Sequence, residues 1–421
     1  MNGDSRALHQ TGAAPHATLA RSLSLTHATL YGLGVTIGAG IYVLIGAAAA
    51  RAGMHAPLAF VAAAALMALS AASFAELACR FPVAAGEAAY ARAAFNSDRL
   101  STTVGLLVVA IAIVSAAAIS IGSAGYLAVF LPLPQAVLVA GVVLAMGAVA
   151  AWGVRQSVSF AGIMTLIEIG GLLLLVAAGF SSQAPIMSRL PEMVPTEASP
   201  ALLVGLVSTT LLAVFAFMGF EGIANVAEEV RDPRRNLPRA IFLTLIVSTL
   251  LYVLVVWIAL VAVGREELGR SSAPLAIVFE RLTGASPRTL SLIAVVATIN
   301  GIIVQIIMAS RVLYGLARQG ELPAMLAEVS ETTRTPVVAT ALTTALVLAL
   351  ALAVPLHNLA DFTSRLTLVV FAIVNISLIR IKRASPDAPQ GAFVAPEWVP
   401  WAGAAACAAL LGADALTAAW W

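Results

Sequence analysis

The stretch Leu33-Gly34-Val35-Thr36-Ile37-Gly38-Ala39-Gly40-Ile41-Tyr42 sets two glycines, Gly38 and Gly40, at the middle of an apolar run extending from about residue 28 to 50. Glycine costs about 1 kcal/mol against Ala inside a helix and tolerates backbone geometries that other residues resist. The pattern therefore predicts a helix broken near its centre, whose unwound backbone must line a cavity because lipid cannot satisfy free N–H and C=O groups. Gly34 and Gly38 also stand at GxxxG spacing, which would equally serve close helix packing. A second stretch decides between the two. Phe215-Ala216-Phe217-Met218-Gly219-Phe220-Glu221-Gly222 puts glycines and an acid just past the midpoint of the sixth apolar run. Runs 1 and 6 open two consecutive sets of five, and an odd number of spans per half inverts the second copy. Interruptions at corresponding places in two halves are the pattern of an inverted-repeat secondary transporter with its substrate at the bilayer midplane. The repeat rests on span count and breaks, since the halves share no clear residue identity.

Composition frames this reading. Of 421 residues, 61% are hydrophobic and 10% charged, too apolar for a soluble chain of this size. A crossing needs about 20 residues. That ruler gives eleven spans, at about 28–50, 57–79, 102–130, 135–153, 157–181, 202–229, 238–263, 288–317, 335–354, 359–381 and 398–419. Residues 1–27 hold no signal-peptide core, so the first span is expected to stay as an anchor. With the N-terminus cytoplasmic, 16 of the 23 Lys and Arg fall inside, which sets the expected orientation and puts Trp420 and Trp421 outside. Arg365 falls outside, and Asp361 one turn before it is its expected partner. A net charge of +2 offers no field for nucleic acid. Cys79 and Cys407 read as small buried hydrophobes rather than a disulfide or metal site. All five histidines, His9, His16, His27, His55 and His357, lie at or beyond span ends, which excludes a mid-membrane histidine relay.

Four stretches carry a family resemblance: Gly38-Ala39-Gly40-Ile41-Tyr42; Ser73-Phe74-Ala75-Glu76-Leu77 with Arg80-Phe81-Pro82 and Gly86-Glu87; Gly219-Phe220-Glu221 through Ala227-Glu228-Glu229-Val230-Arg231-Asp232-Pro233 to Leu237-Pro238-Arg239-Ala240-Ile241; and Ser310-Arg311-Val312-Leu313-Tyr314-Gly315-Leu316-Ala317-Arg318 with Leu322-Pro323 and Arg334-Thr335-Pro336. In this order and on these sides of the membrane, the chain resembles the amino acid–polyamine–organocation (APC) superfamily, close to the bacterial amino acid permeases. The resemblance covers spans 1 to 9. It implies an all-α membrane protein, a five-plus-five inverted-repeat (LeuT-like) transporter bundle, with one additional C-terminal span. Its parts would be a cytoplasmic tail at 1–27, the first repeat at 28–181, an outer loop at 182–200, the second repeat at 201–383, and a linker with the eleventh span at 384–421. The chain departs from the family in two places. Twelve spans are usual there, and similar proton-coupled members carry a lysine in span 5 where this chain has Glu168.

The implied function is secondary active transport of amino acids across the cell membrane, coupled to protons by alternating access. The alternatives are an amino acid or amine exchanger and a non-transporting sensor on the same fold. An amino acid zwitterion needs donors for its carboxylate and acceptors for its ammonium. Free N–H groups near Gly38, Ala39, Gly40 and Ile41 would face the carboxylate at a helix terminus. By the resemblance, the carbonyls of Ile37, Phe215, Ala216 and Met218 would receive the ammonium, and Phe220 would be a gating aromatic or a core ring. A charged acid at mid-membrane costs about 2.5–3.5 kcal/mol, so Glu168 reads either as a proton carrier or as an acid bonded permanently to a neighbouring helix. Glu221 is expected to stabilise the inner half of its broken helix, and Asn300 and Gln305 to act as interhelical glue. Residues 82–95, with Glu87, Tyr90, Arg92 and Phe95, are expected to form a short helix in the inner interface. Polyamines are disfavoured because Glu221 is the sole acid in the motif-matched pocket. No enzyme is expected: neither an HExxH motif nor a Cys or His cluster occurs, and no cofactor, metal or catalytic residue is implied. The partners are the amino acid, protons and the bilayer.

Overall fold

A computed structural model describes residues 23–38, 40–82, 86–153, 158–197 and 199–418. Ala39, Arg155, Trp420 and Trp421 lie outside the described residues. The chain folds as α1 (Leu25–Ile37), α2 (Gly40–Ala52), α3 (Ala56–Arg80), α4 (Gly86–Phe95), α5 (Asp98–Leu127), α6 (Gln135–Trp152), α7 (Val158–Ser181), α8 (Pro200–Phe217), α9 (Gly222–Asn225), α10 (Pro233–Ala262), α11 (Arg265–Arg270), α12 (Pro274–Thr283), α13 (Arg288–Arg318), α14 (Val337–Ala353), α15 (Leu356–Ala384) and α16 (Trp398–Ala418). Local sequence starts many of these. Ser97 and Ser199 each accept a backbone N–H three residues on, opening α5 and α8, and Pro57, Pro200, Pro233 and Pro274 sit in first turns, where a missing N–H costs nothing. Among the described residues, nine helical runs are long and apolar enough to cross a bilayer, Gly40–Arg80 counting as one, and Val337–Ala353 is a shorter apolar helix. The molecule is a multi-pass membrane protein.

Packing carries the repeat that residue identity does not. Elements five spans apart lie against each other: α2 with α8, α3 with α10, α5 with α13, and α6 with α14. The cross pairs also come in matched couples, α1 with α10 matching α8 with α3, and α5 with α15 matching α13 with α7. Glycine also permits a close approach of α1 and α7: a Cβ on Gly34 would meet the Thr165 Oγ1 at 2.2 Å, so the Thr165 side chain rests on the α1 backbone there.

One expectation about charges changes. Asp361 does not pair with Arg365. It binds Arg51, both guanidinium nitrogens donating at 2.8 Å, which ties the end of α2 to α15; Arg365 instead pairs with Asp414 of α16 at 2.7 Å. Both choices follow from tertiary proximity, which outweighs helical spacing when the partner is a bidentate acid in a half-buried setting. At the opposite end of the bundle, Glu76 is wholly buried and accepts from Arg80, Lys382 and the Ala395 N–H. This cluster pins the segment before α16 to α3 and α15.

Candidate functional site

Both expected breaks occur, and they face each other. Helix α1 ends at Gly38, whose N–H reaches the Gly34 carbonyl at 3.2 Å, and helix restarts at Gly40. Helix α8 ends where Met218 becomes extended, and Gly219 follows at φ +130°, a conformation that side-chain-bearing residues rarely adopt. A Cβ on Gly40 would lie 2.3 Å from the Ala216 Cα, and one on Gly219 2.6 Å from the Thr36 nitrogen. The backbone of one break therefore rests on the backbone of the other.

The first N–H groups of α2, from Gly40 and Ile41 onward, have no partner within their helix, as at any helix start. On the other side α8 presents its carbonyl end. Phe215 O accepts the Met218 N–H at 3.2 Å, and the Tyr252 hydroxyl of α10 lies 2.7 Å from Thr36 O and 3.0 Å from Ala216 O, bridging the two breaks. Ile37, Gly40, Ile41, Phe215, Ala216 and Met218 are all buried here. Nearby, Thr36 Oγ1 is buried with no protein partner among the described residues. Phe220 is buried between Phe74 of α3 and Phe371 of α15, with ring centroids 5.9 and 5.6 Å away, edge to face. Glu221 accepts the Gly219 N–H on Oε2 at 2.8 Å, supplying a partner that the broken helix withdrew.

Glu168 of α7 stands against the first break. Its Oε1 would be 3.3 Å from a Cβ on Gly38 and accepts from Asn300 Nδ2 of α13 at 3.1 Å; Oε2 is buried with no partner among the described residues. The Tyr42 hydroxyl donates to the Glu168 carbonyl at 2.8 Å, fixing α7 to the start of α2. The acid thus touches α1 and α13 together. Asn300 is interhelical glue as expected. Gln305 is not: its Oε1 is buried without a hydrogen-bond partner among the described residues.

The family model described as "Amino acid permease" matches residues 23–418. The chain belongs to that family. Among its relatives are the branched-chain amino acid permease of Bacillus subtilis, 28% identical over 90% of this permease and 84% of the relative, and an uncharacterized transporter of Mycobacterium tuberculosis, 32% identical over 86% and 81%. A vacuolar cationic amino acid transporter of Arabidopsis thaliana is 29% identical over 88% of the permease and 61% of its own length. These relatives are transporters, and a small amino acid substrate fits the family. In this permease the residues that sequence reasoning missed are Thr36 and Tyr252. Tyr252 lies in a 30-residue apolar helix, where no period marks one aromatic as functional.

Proposed function

We propose that this permease is a secondary active transporter that holds the amino acid between the two breaks and couples its uptake to protons through Glu168. The carboxylate would sit on the N–H groups of Ala39, Gly40 and Ile41, beside Gly38, whose own N–H is held by the Gly34 carbonyl, and the ammonium on the carbonyls of Ile37, Phe215, Ala216 and Met218. Phe220 would cover the inner side. The observation that carries the reading is the pairing of the helix start at Gly40 with the helix end at Met218: one end rich in donors, the other in acceptors, suiting a zwitterion that has both. Glu168 supports coupling because one carboxylate oxygen is buried beside the first break without a partner among the described residues. An ionised carboxylate so placed lacks half its hydrogen bonds, and a proton on Oε2 removes the charge. Eleven crossings in the cell membrane, the N-terminus inside and the C-terminus outside, complete the proposal, with residues 28–181 and 201–383 as the two repeats. In liposomes holding the purified protein, a labelled amino acid should enter against unlabelled amino acid inside. Amino acid amides, which lack the anionic carboxylate, should compete at least tenfold more weakly. Binding without flux would favour a sensor, and equal competition by amides would move the carboxylate away from Gly40.

A further inference from the structure

A partly open cavity of about 40 Å³ begins at the second break, where Met218, Gly219 and Glu221 line it. It continues between α1, α5, α13 and α15 to Glu87 of α4. Helix α4 does more than lie in the interface: Glu87, Tyr90 and Ala91, spaced three and four apart, share its buried face. The cavity thus has two carboxyl groups, from elements far apart in sequence, and among the described residues its lining includes no Arg, Lys or His. A third polar group points to a ligand. Gln305 lines the same cavity, is 8% exposed, and its Oε1 has no hydrogen-bond partner among the described residues. Three oxygen-bearing acceptor side chains around a space of this size call for a compact donor with positive charge. Apart from the hydroxyl-bearing Tyr31 and Thr367, the remaining walls are mostly apolar, Val35, Val108, Ile111 and Val304 among them. Such a lining matches an alkyl stem that ends in a cation.

Building on the amino acid reading above, we propose that this cavity is a subsite for the side-chain ammonium of a cationic amino acid, with Glu87 and Gln305 as its acceptors and Glu221 as the second counter-charge. The α-amino and carboxylate groups remain at the breaks, and the stem descends past Met218. A primary ammonium is close to water in size, and the cavity exceeds the roughly 10–15 Å³ that one water needs, so a lysine-like head fits, and its three N–H donors match the three acceptor side chains, which the five donors of arginine's guanidinium would outnumber.

The test uses the purified full-length protein and measures binding of L-lysine, L-norleucine, which has the same stem without the amine, and L-arginine. Lysine should bind at least tenfold tighter than norleucine. Glu87→Gln should cut that lysine-to-norleucine ratio about tenfold. Gln305→Leu, which leaves the carboxyl groups in place, should cut it severalfold. Glu221 is left intact because its carboxylate also holds Gly219. Norleucine binding as tightly as lysine, or a ratio unchanged in both variants, would overturn the subsite while leaving the amino acid reading in place. Arginine binding tighter than lysine would overturn the ammonium assignment. Failure of all three ligands to bind folded protein would overturn the amino acid reading and the subsite with it.

Discussion

The two breaks are made from the same material and finished differently. At the first, helix resumes at Gly40, and in the proposed site its first N–H groups meet the substrate; at the second, the chain supplies its own partner, since Glu221 returns to the Gly219 N–H at 2.8 Å. A site for a zwitterion needs this asymmetry. If both breaks capped themselves, neither would bind. With both bare, the apo protein would carry unpaired backbone on two faces, at about 1–3 kcal/mol for each buried group. Tyr252 joins the two and keeps the carbonyls of Thr36 and Ala216 satisfied.

The harshest way to break the comparison is to fill the contact itself. A Cβ on Gly40 collides with the Ala216 backbone at 2.3 Å, so even Gly40→Ala must push the breaks apart, and Gly40→Val more so. Substrate affinity should fall more than a hundredfold in Gly40→Val, measured by thermal shift on protein that remains monodisperse and helical. Wild-type affinity in that variant would place the ligand elsewhere. Tyr252→Phe is gentler, removing one hydroxyl and leaving two buried carbonyls short of a donor. Stability should drop by about 1–3 kcal/mol, read as a lower thermal midpoint, with substrate affinity about tenfold weaker. An unchanged midpoint would mean that the bridge contributes nothing.

The smallest expected effect lies at the inner end and sharpens the difference. Glu87 stands outside the spanning helices, and burial pushes its carboxyl up to about 6. Below that value it is neutral, so affinity for a lysine-like cation should fall severalfold as the pH drops from 7 to 5, while norleucine affinity changes less. Glu221 and the Tyr31 phenol are the other titratable groups lining that cavity, so Glu87→Gln should flatten the lysine profile around pH 6 without abolishing any contribution from Glu221. A profile identical in wild type and Glu87→Gln would remove Glu87 from the subsite.

The breaks were legible because glycine in an apolar helix is costly enough to need a reason, and Glu168 because an acid at mid-membrane needs one too. Other features depend on contacts distant in sequence. Arg51 and Asp361 are 310 positions apart, and the helical rule that offered Arg365 as a partner sees four residues ahead. Glu87 was read as interfacial because an amphipathic helix at a membrane surface and one packed inward have the same period. Which face is buried depends on α5 and α15, against which α4 lies. Gln305 read as glue by default, since a lone amide in an apolar run has the same sequence signature whether or not it finds a partner.

Proton coupling at the first break is the central claim, and Glu168→Gln tests it most directly. The amide retains the shape and the contact with Asn300 but can neither gain nor lose a proton. In liposomes with an imposed pH gradient, acid outside, the wild type should concentrate labelled substrate. The variant should still exchange substrate between two loaded sides yet accumulate none above equilibrium. Accumulation by Glu168→Gln as steep as that of the wild type would contradict the account and make Glu168 a structural acid.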